Sequence, residues 1–197
     1  MRIINAIFPI YFWIFLLLGS VCLFTDNFVV FGYILLNLVA TLLFIKLGVV
    51  IHEIGHLLFG KLAGGNPKRI ILGKSHEVTR FRVFDIKVIL NKDFNGGFAF
   101  VNFPSGKNTK INQLLLTSGG FITNLIVAYL IYSLFGFNLS FLSGKAGLEF
   151  SSAFIFANTL LAFFSLIPYY VDYLGVKVPT DGLTLLKLHL ERRMRLM

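Results

Sequence analysis

Residues 49–65 read VVIHEIGHLLFGKLAGG, and the rest of the chain is read outward from them. His52-Glu53-Ile54-Gly55-His56 fits the pattern His-Glu-x-x-His. Two His four apart on a helix share a face and can hold one metal ion. Neutral imidazole suits zinc. Glu53, on a neighbouring face, then stands where a general base toward water is needed. The motif lies in an apolar run, 28–59, broken only by Lys46 and the motif itself. Two imidazoles and a carboxylate in such a run are costly unless partnered or metal-bound, so they point to function. The bland alternative is hydrogen-bonded His and Glu that pin helices together. A metzincin would need Gly at 59 and His at 62; Phe59 and Leu62 exclude that class.

The run containing the motif is one of four. Residues 6–24, 114–135 and 152–170 are also free of charge, each close to the roughly 20 residues a bilayer core demands. The chain of 197 residues is 56% hydrophobic and 14% charged, against about 25% charged in an average soluble domain. Its mean hydropathy is +0.81. These values exclude disorder and argue against a soluble domain. A lone Cys22 excludes an intramolecular disulfide framework and a Cys-rich zinc ribbon. Run 6–24 has the alternative of a signal peptide. Its n-region holds only Arg2 and no small-x-small site follows, so it is read as a retained helix.

The expected fold is therefore an all-α polytopic membrane protein of one domain, 1–197, with about four transmembrane helices. Helix 1 covers about 6–24 and helix 2 about 28–60. A cytoplasmic β-rich loop, 61–112, follows, with helix 3 at about 114–135, helix 4 at about 152–170 and an amphipathic helix at about 182–195. Of the 18 Lys and Arg, ten lie in 61–112, five lie after residue 170 and Arg2 adds one. Only Lys145 falls in the opposite loops, while Lys46 lies within a helix and would snorkel to the interface. This bias predicts a multi-pass protein with both termini in the cytoplasm, in a bacterium at the cell membrane. It also accounts for the net charge of +9 without nucleic acid, for which no aromatic-interleaved basic patch is present.

Within 61–112, residues 78–84 alternate as V-T-R-F-R-V-F, a half-buried strand pattern that 86–90 continues. Asn95-Gly96 is a hairpin-type turn signal, and 98–103 is again strand-like. A small antiparallel sheet against the membrane is expected between helices 2 and 3. The choice is between a simple lid and an edge that holds an extended substrate by main-chain hydrogen bonds.

A catalytic zinc usually takes a third protein ligand. Asp172, Asp181, His76, His189, Glu77, Asp85 and Asp93 are the candidates. Topology favours Asp172 and Asp181, which return to the side where the His pair ends. Asp181 precedes Gly182 and an apolar helical pattern, where helix N–H groups stabilise a carboxylate. An N-cap and nothing more is the alternative there.

With these residues in hand, the chain resembles the site-2 protease family of intramembrane zinc metalloproteases, over about residues 45–190. VVIHEIGHLLFGKLAGG is similar to the family's zinc-binding helix. TSGGFITNLIVA is similar to its Gly-Pro-x-x-Asn block, and FSLIPYYVDYLGVKVPTDGLTLL to Asn-Leu-x-Pro leading to Asp-Gly. The resemblance implies one zinc per chain on His52, His56 and Asp181, Glu53 as base, and Asn124 near the substrate or the scissile carbonyl. The sequence departs from the family at Gly120, where Pro is common, and at Ser165, where Asn is frequent. Thirteen positions separate Pro168 from Asp181, more than in compact members, which keeps Asp172 as the alternative third ligand. No segment has room for a PDZ or CBS domain, so the resemblance is to a minimal member.

The function expected is a zinc endopeptidase cleaving within or next to transmembrane segments of membrane-protein or peptide substrates. A pseudoprotease or membrane chaperone of the same fold is the alternative. A transporter would show internal repeats or paired broken helices, and neither is found. The lipid bilayer and a protein or peptide substrate are the expected partners.

Overall fold

The computed structural model describes all residues except 1, 93, 95, 107, 108, 146, 174 and 195–197. Five helices, α1 (Arg2–Cys22), α2 (Val29–Leu62), α3 (Lys110–Phe135), α4 (Phe150–Leu166) and α5 (Asp181–Met194), dominate the described chain. Strands β1 (Asn66–Leu72), β2 (Glu77–Val83), β3 (Ile86–Asn91) and β4 (Gly97–Asn102) follow α2 in the chain, and β5 (Tyr170–Tyr173) and β6 (Val176–Pro179) follow α4. The fold is helix-rich with a small mixed sheet, rather than all-α. Helices α2 and α3 are long and apolar enough to cross a membrane. The described chain divides into two compact units, 1–47 with 126–159, and 48–125 with 160–197.

In the first unit, small residues let α1 approach α2. A Cβ on Gly32 would lie 2.8 Å from the Gly19 carbonyl oxygen. One buried amide organises the segment before α4. Asn37 Nδ2 donates to the carbonyls of Phe141 (2.8 Å) and Gly147 (2.9 Å), and its Oδ1 accepts from the Glu149 N–H (3.0 Å). Phe141 lies in a single 3₁₀ turn, Leu139–Ser143, and is fully buried against Ala40 and Ala153. Asn138 caps that turn by accepting from the Ser140 N–H at 2.9 Å.

In the second unit, α2 and α3 touch backbone to backbone. A Cβ on Gly119 would come within 2.5 Å of the Gly55 carbonyl oxygen. Small residues at such a crossing are how apolar helices approach closely. The sheet order is β2-β3-β1-β4, with β1 parallel to β3 and antiparallel to β4. The antiparallel expectation is corrected here because β1, unread in the sequence, takes a central place. Its first half, Asn66-Pro67-Lys68-Arg69, looks like a turn, and only Ile70 and Leu72 are buried. As β1 intervenes between them, β3 and β4 do not pair, so Gly96 belongs to no β3–β4 hairpin; Asn95 lies outside the described residues. Strand β2 is an edge strand exposed along its whole length, not half-buried as its alternation predicts.

Strand β4 runs along α2. Val101 seats on Gly60, where a Cβ would lie 2.8 Å from the valine Cγ2. Helix α4 stops at Leu166 rather than continuing to 170. Pro168 has no N–H and disfavours helix at Ile167. The aromatic and β-branched residues beyond it form an antiparallel β5–β6 hairpin instead, pairing Tyr170 with Pro179 and Asp172 with Lys177.

Candidate metal centre

The His pair of α2 meets the first residue of α5. His52 Nε2 lies 3.0 Å from Asp181 Oδ2, His56 Nε2 3.5 Å from Asp181 Oδ1, and the two Nε2 atoms 3.2 Å apart. These three residues form a group that could hold a metal ion. Asp181 Oδ2 is buried and makes no hydrogen bond despite that 3.0 Å approach.

Local structure sets each donor. His56 Nδ1 is 2.8 Å from the Leu116 carbonyl oxygen, which can only accept, so Nδ1 donates and Nε2 keeps its lone pair for the centre. Asp181 is not the cap of α5. Thr180 is: its Oγ1 accepts from the Leu183 N–H (3.4 Å) and donates to the Ile167 carbonyl (2.7 Å). Capping by Thr180 leaves the Asp181 carboxylate free to face the imidazoles. Gly182 is tucked against the Leu166 backbone, where a side chain would collide. Burial pushes the Asp181 carboxyl up, but the adjacent imidazoles outweigh it and hold the pKa at about 2. The carboxylate is thus ionised, as metal binding requires.

Glu53 is buried beside the pair, and its carboxylate lies against β4. A Cβ on Gly97 would fall 2.7 Å from Glu53 Oε1. Across the centre, α3 presents Gly120, where a Cβ would stand 2.5 Å from His52 Nε2 and 2.7 Å from His56 Nε2. A cavity of about 420 Å³ opens on the group, walled by β4 from Gly97 to Ala99 and by Val171 and Val178 of the hairpin.

The other sequence candidates lie elsewhere. Asp172, the alternative ligand, sits on β5, where its Oδ1 accepts from the Gly175 N–H at 2.9 Å. Glu77 pairs with Arg80, Asp85 lies in the β2–β3 turn, and His76 and His189 are exposed. Asp93 lies outside the described residues. Asn124 is fully buried with both amide atoms unpaired, but it is not among the residues lining the cavity. Three residues that shape the site were not read from the sequence as doing so: Thr180, Gly97 and Lys74, which lines the cavity. The Thr-Asp-Gly order before an apolar helical pattern is the signal by which Thr180 is legible as a cap. The chain matches no protein-family model and no curated protein.

Proposed function

We propose that the chain is a membrane-embedded zinc endopeptidase acting within or next to transmembrane segments of membrane-protein or peptide substrates. One observation carries this: two imidazole Nε2 atoms 3.2 Å apart, each facing a different oxygen of Asp181 at 3.0 or 3.5 Å, with a buried glutamate beside them on a cavity wall. Tetrahedral bonds of 2.0–2.1 Å separate ligand atoms by about 3.3 Å, so these spacings are of the size zinc requires. His52, His56 and Asp181 would hold the ion, leaving a fourth position open. Bound there, zinc supplies Lewis acidity toward a carbonyl oxygen and toward water.

The chain's own residues do the rest. Glu53 takes the proton from the attacking water and returns it to the leaving amine. Among the described strands β4 pairs with β1 alone, and it lies against Glu53. A substrate segment laid on its free edge would be extended, with its peptide bonds accessible. The four apolar helices α1–α4 are the membrane spans in this reading, and α4, at 17 residues, meets the lower bound for a span. The charge bias puts both termini and the sheet in the cytoplasm.

The test is metal content of the purified, detergent-solubilised chain. About one zinc per chain is expected, lost in His56→Ala and Asp181→Ala, and retained without cleavage in Glu53→Gln. A wild-type chain that takes up no zinc even on reconstitution would overturn the reading. Zinc retained, with Glu53→Gln indistinguishable from wild type in every substrate assay, would favour the pseudoprotease.

A further inference from the structure

Lys74 is the one ammonium or guanidinium group among the described residues lining the cavity. It is no loose surface lysine. Its loop is tied to the start of β4 by the Gly73 N–H, which donates to the Gly96 carbonyl at 2.7 Å. Asn91, buried, donates from Nδ2 to the Gly73 carbonyl at 3.1 Å. The lysine stem lies over Gly96, where a Cβ would be 3.0 Å from Cε and 3.7 Å from Nζ. Gly96 has φ +139°, so a side chain is disfavoured there on both counts. The next residue, Gly97, carries the contact with Glu53. The ammonium and the general base are thus posted at neighbouring residues of one segment.

The ammonium is half-buried, and burial pushes its pKa down, against the pull of Asp172. Asp172 spends one carboxylate oxygen on its own hairpin turn. Among the described residues Lys74 has no ion pair within 4.0 Å. A partly desolvated ammonium with no ion pair among the described residues, on the wall of a cavity it shares with Glu53 and Asp181, has donors to spare for an incoming carboxylate.

We propose that Lys74 is a specificity residue that binds a substrate carboxylate a short distance along the chain from the scissile bond. The carboxylate is either an Asp or Glu side chain or a free C-terminal carboxylate. The proposal rests on the proteolytic reading above.

The probe is a quenched-fluorescent apolar peptide with one Asp scanned along it. Asn and Lys counterparts are made, each with free and amidated C-termini. Cleavage by the zinc-loaded full chain gives one ratio. Anisotropy of the same peptides on Glu53→Gln gives a second that needs no turnover. At one register the Asp peptide is expected to exceed the Asn peptide about tenfold in both, the scale of a hydrogen bond to a charged group. Lys74→Ala should bring the ratio to about one, Lys74→Arg should restore it, and Lys74→Glu should turn it toward the Lys peptide. Zinc content, unchanged in all three, controls for folding. Preference surviving amidation assigns a side chain; preference lost on amidation assigns a terminus.

Cleavage without a preference, or a preference retained in Lys74→Ala, overturns the proposal and leaves the protease standing. A Lys74-dependent preference in binding, with no cleavage of any peptide, keeps the carboxylate contact, overturns its placement beside a scissile bond and favours the pseudoprotease.

Discussion

Gly120 leaves the centre no spare room. Alanine normally stabilises a helix interior by about 0.5–1 kcal/mol over glycine. At this position its methyl would sit 2.5 Å from His52 Nε2 and force the imidazoles aside. Gly120→Ala is therefore expected to weaken zinc binding at least tenfold, read by chelator competition, while a neutral helix substitution would leave it unchanged. His52, Glu53 and His56 were legible because helical geometry alone brings i and i+4 together. Asp181 was not separable from Asp172 by spacing. What separates them is Thr180, which takes the capping role, and Gly182, which lets α5 start against Leu166. The cap has a signal in the Thr-Asp-Gly order; the seating of Gly182 on Leu166 has no period or motif in the sequence.

At the scale of elements, Asn37 does for the 139–149 segment what a hairpin does for two strands: it fixes both ends with side-chain hydrogen bonds. Asn37→Leu strands two carbonyls and one N–H in a buried place. Each unsatisfied group costs about 1–3 kcal/mol. The variant is expected to lower the thermal midpoint in detergent by several degrees while its zinc content stays at the wild-type level. The elements themselves were unevenly legible. Long apolar helices announce themselves by composition, so α2 and α3 lie close to their expected bounds. Strand β1 did not, because Pro67, Lys68 and Arg69 occupy its first half. Sheet order depends on which strands meet in space, and alternation along one strand carries no such information. The β5–β6 hairpin begins where the apolar run 152–170 ends, and its four-residue strands carry too few alternations to be read as strands.

For the molecule as a whole, a metal held by this group would act as a cross-link. Its ligands would tie α2 to α5 across 125 positions of chain, so bound metal stabilises the folded state by mass action. Stripping it with 1,10-phenanthroline is expected to lower the thermal midpoint of the wild type by several degrees, by about 4 kcal/mol if free zinc stands at a thousand times its dissociation constant. Asp181→Ala should melt at one temperature with or without zinc. A wild type whose melting ignores chelator would contradict the cross-link.

The order of the donors along the chain also has a consequence in time. The two imidazoles leave the ribosome first, and Asp181 follows 125 residues after His56. At about 5–20 residues per second, that gap is roughly 6–25 s. Throughout it the nascent polypeptide would hold Glu53 and only two of the three residues of the candidate metal group. If the chain is the peptidase proposed, synthesis in that order keeps its centre incomplete until the chain is nearly finished.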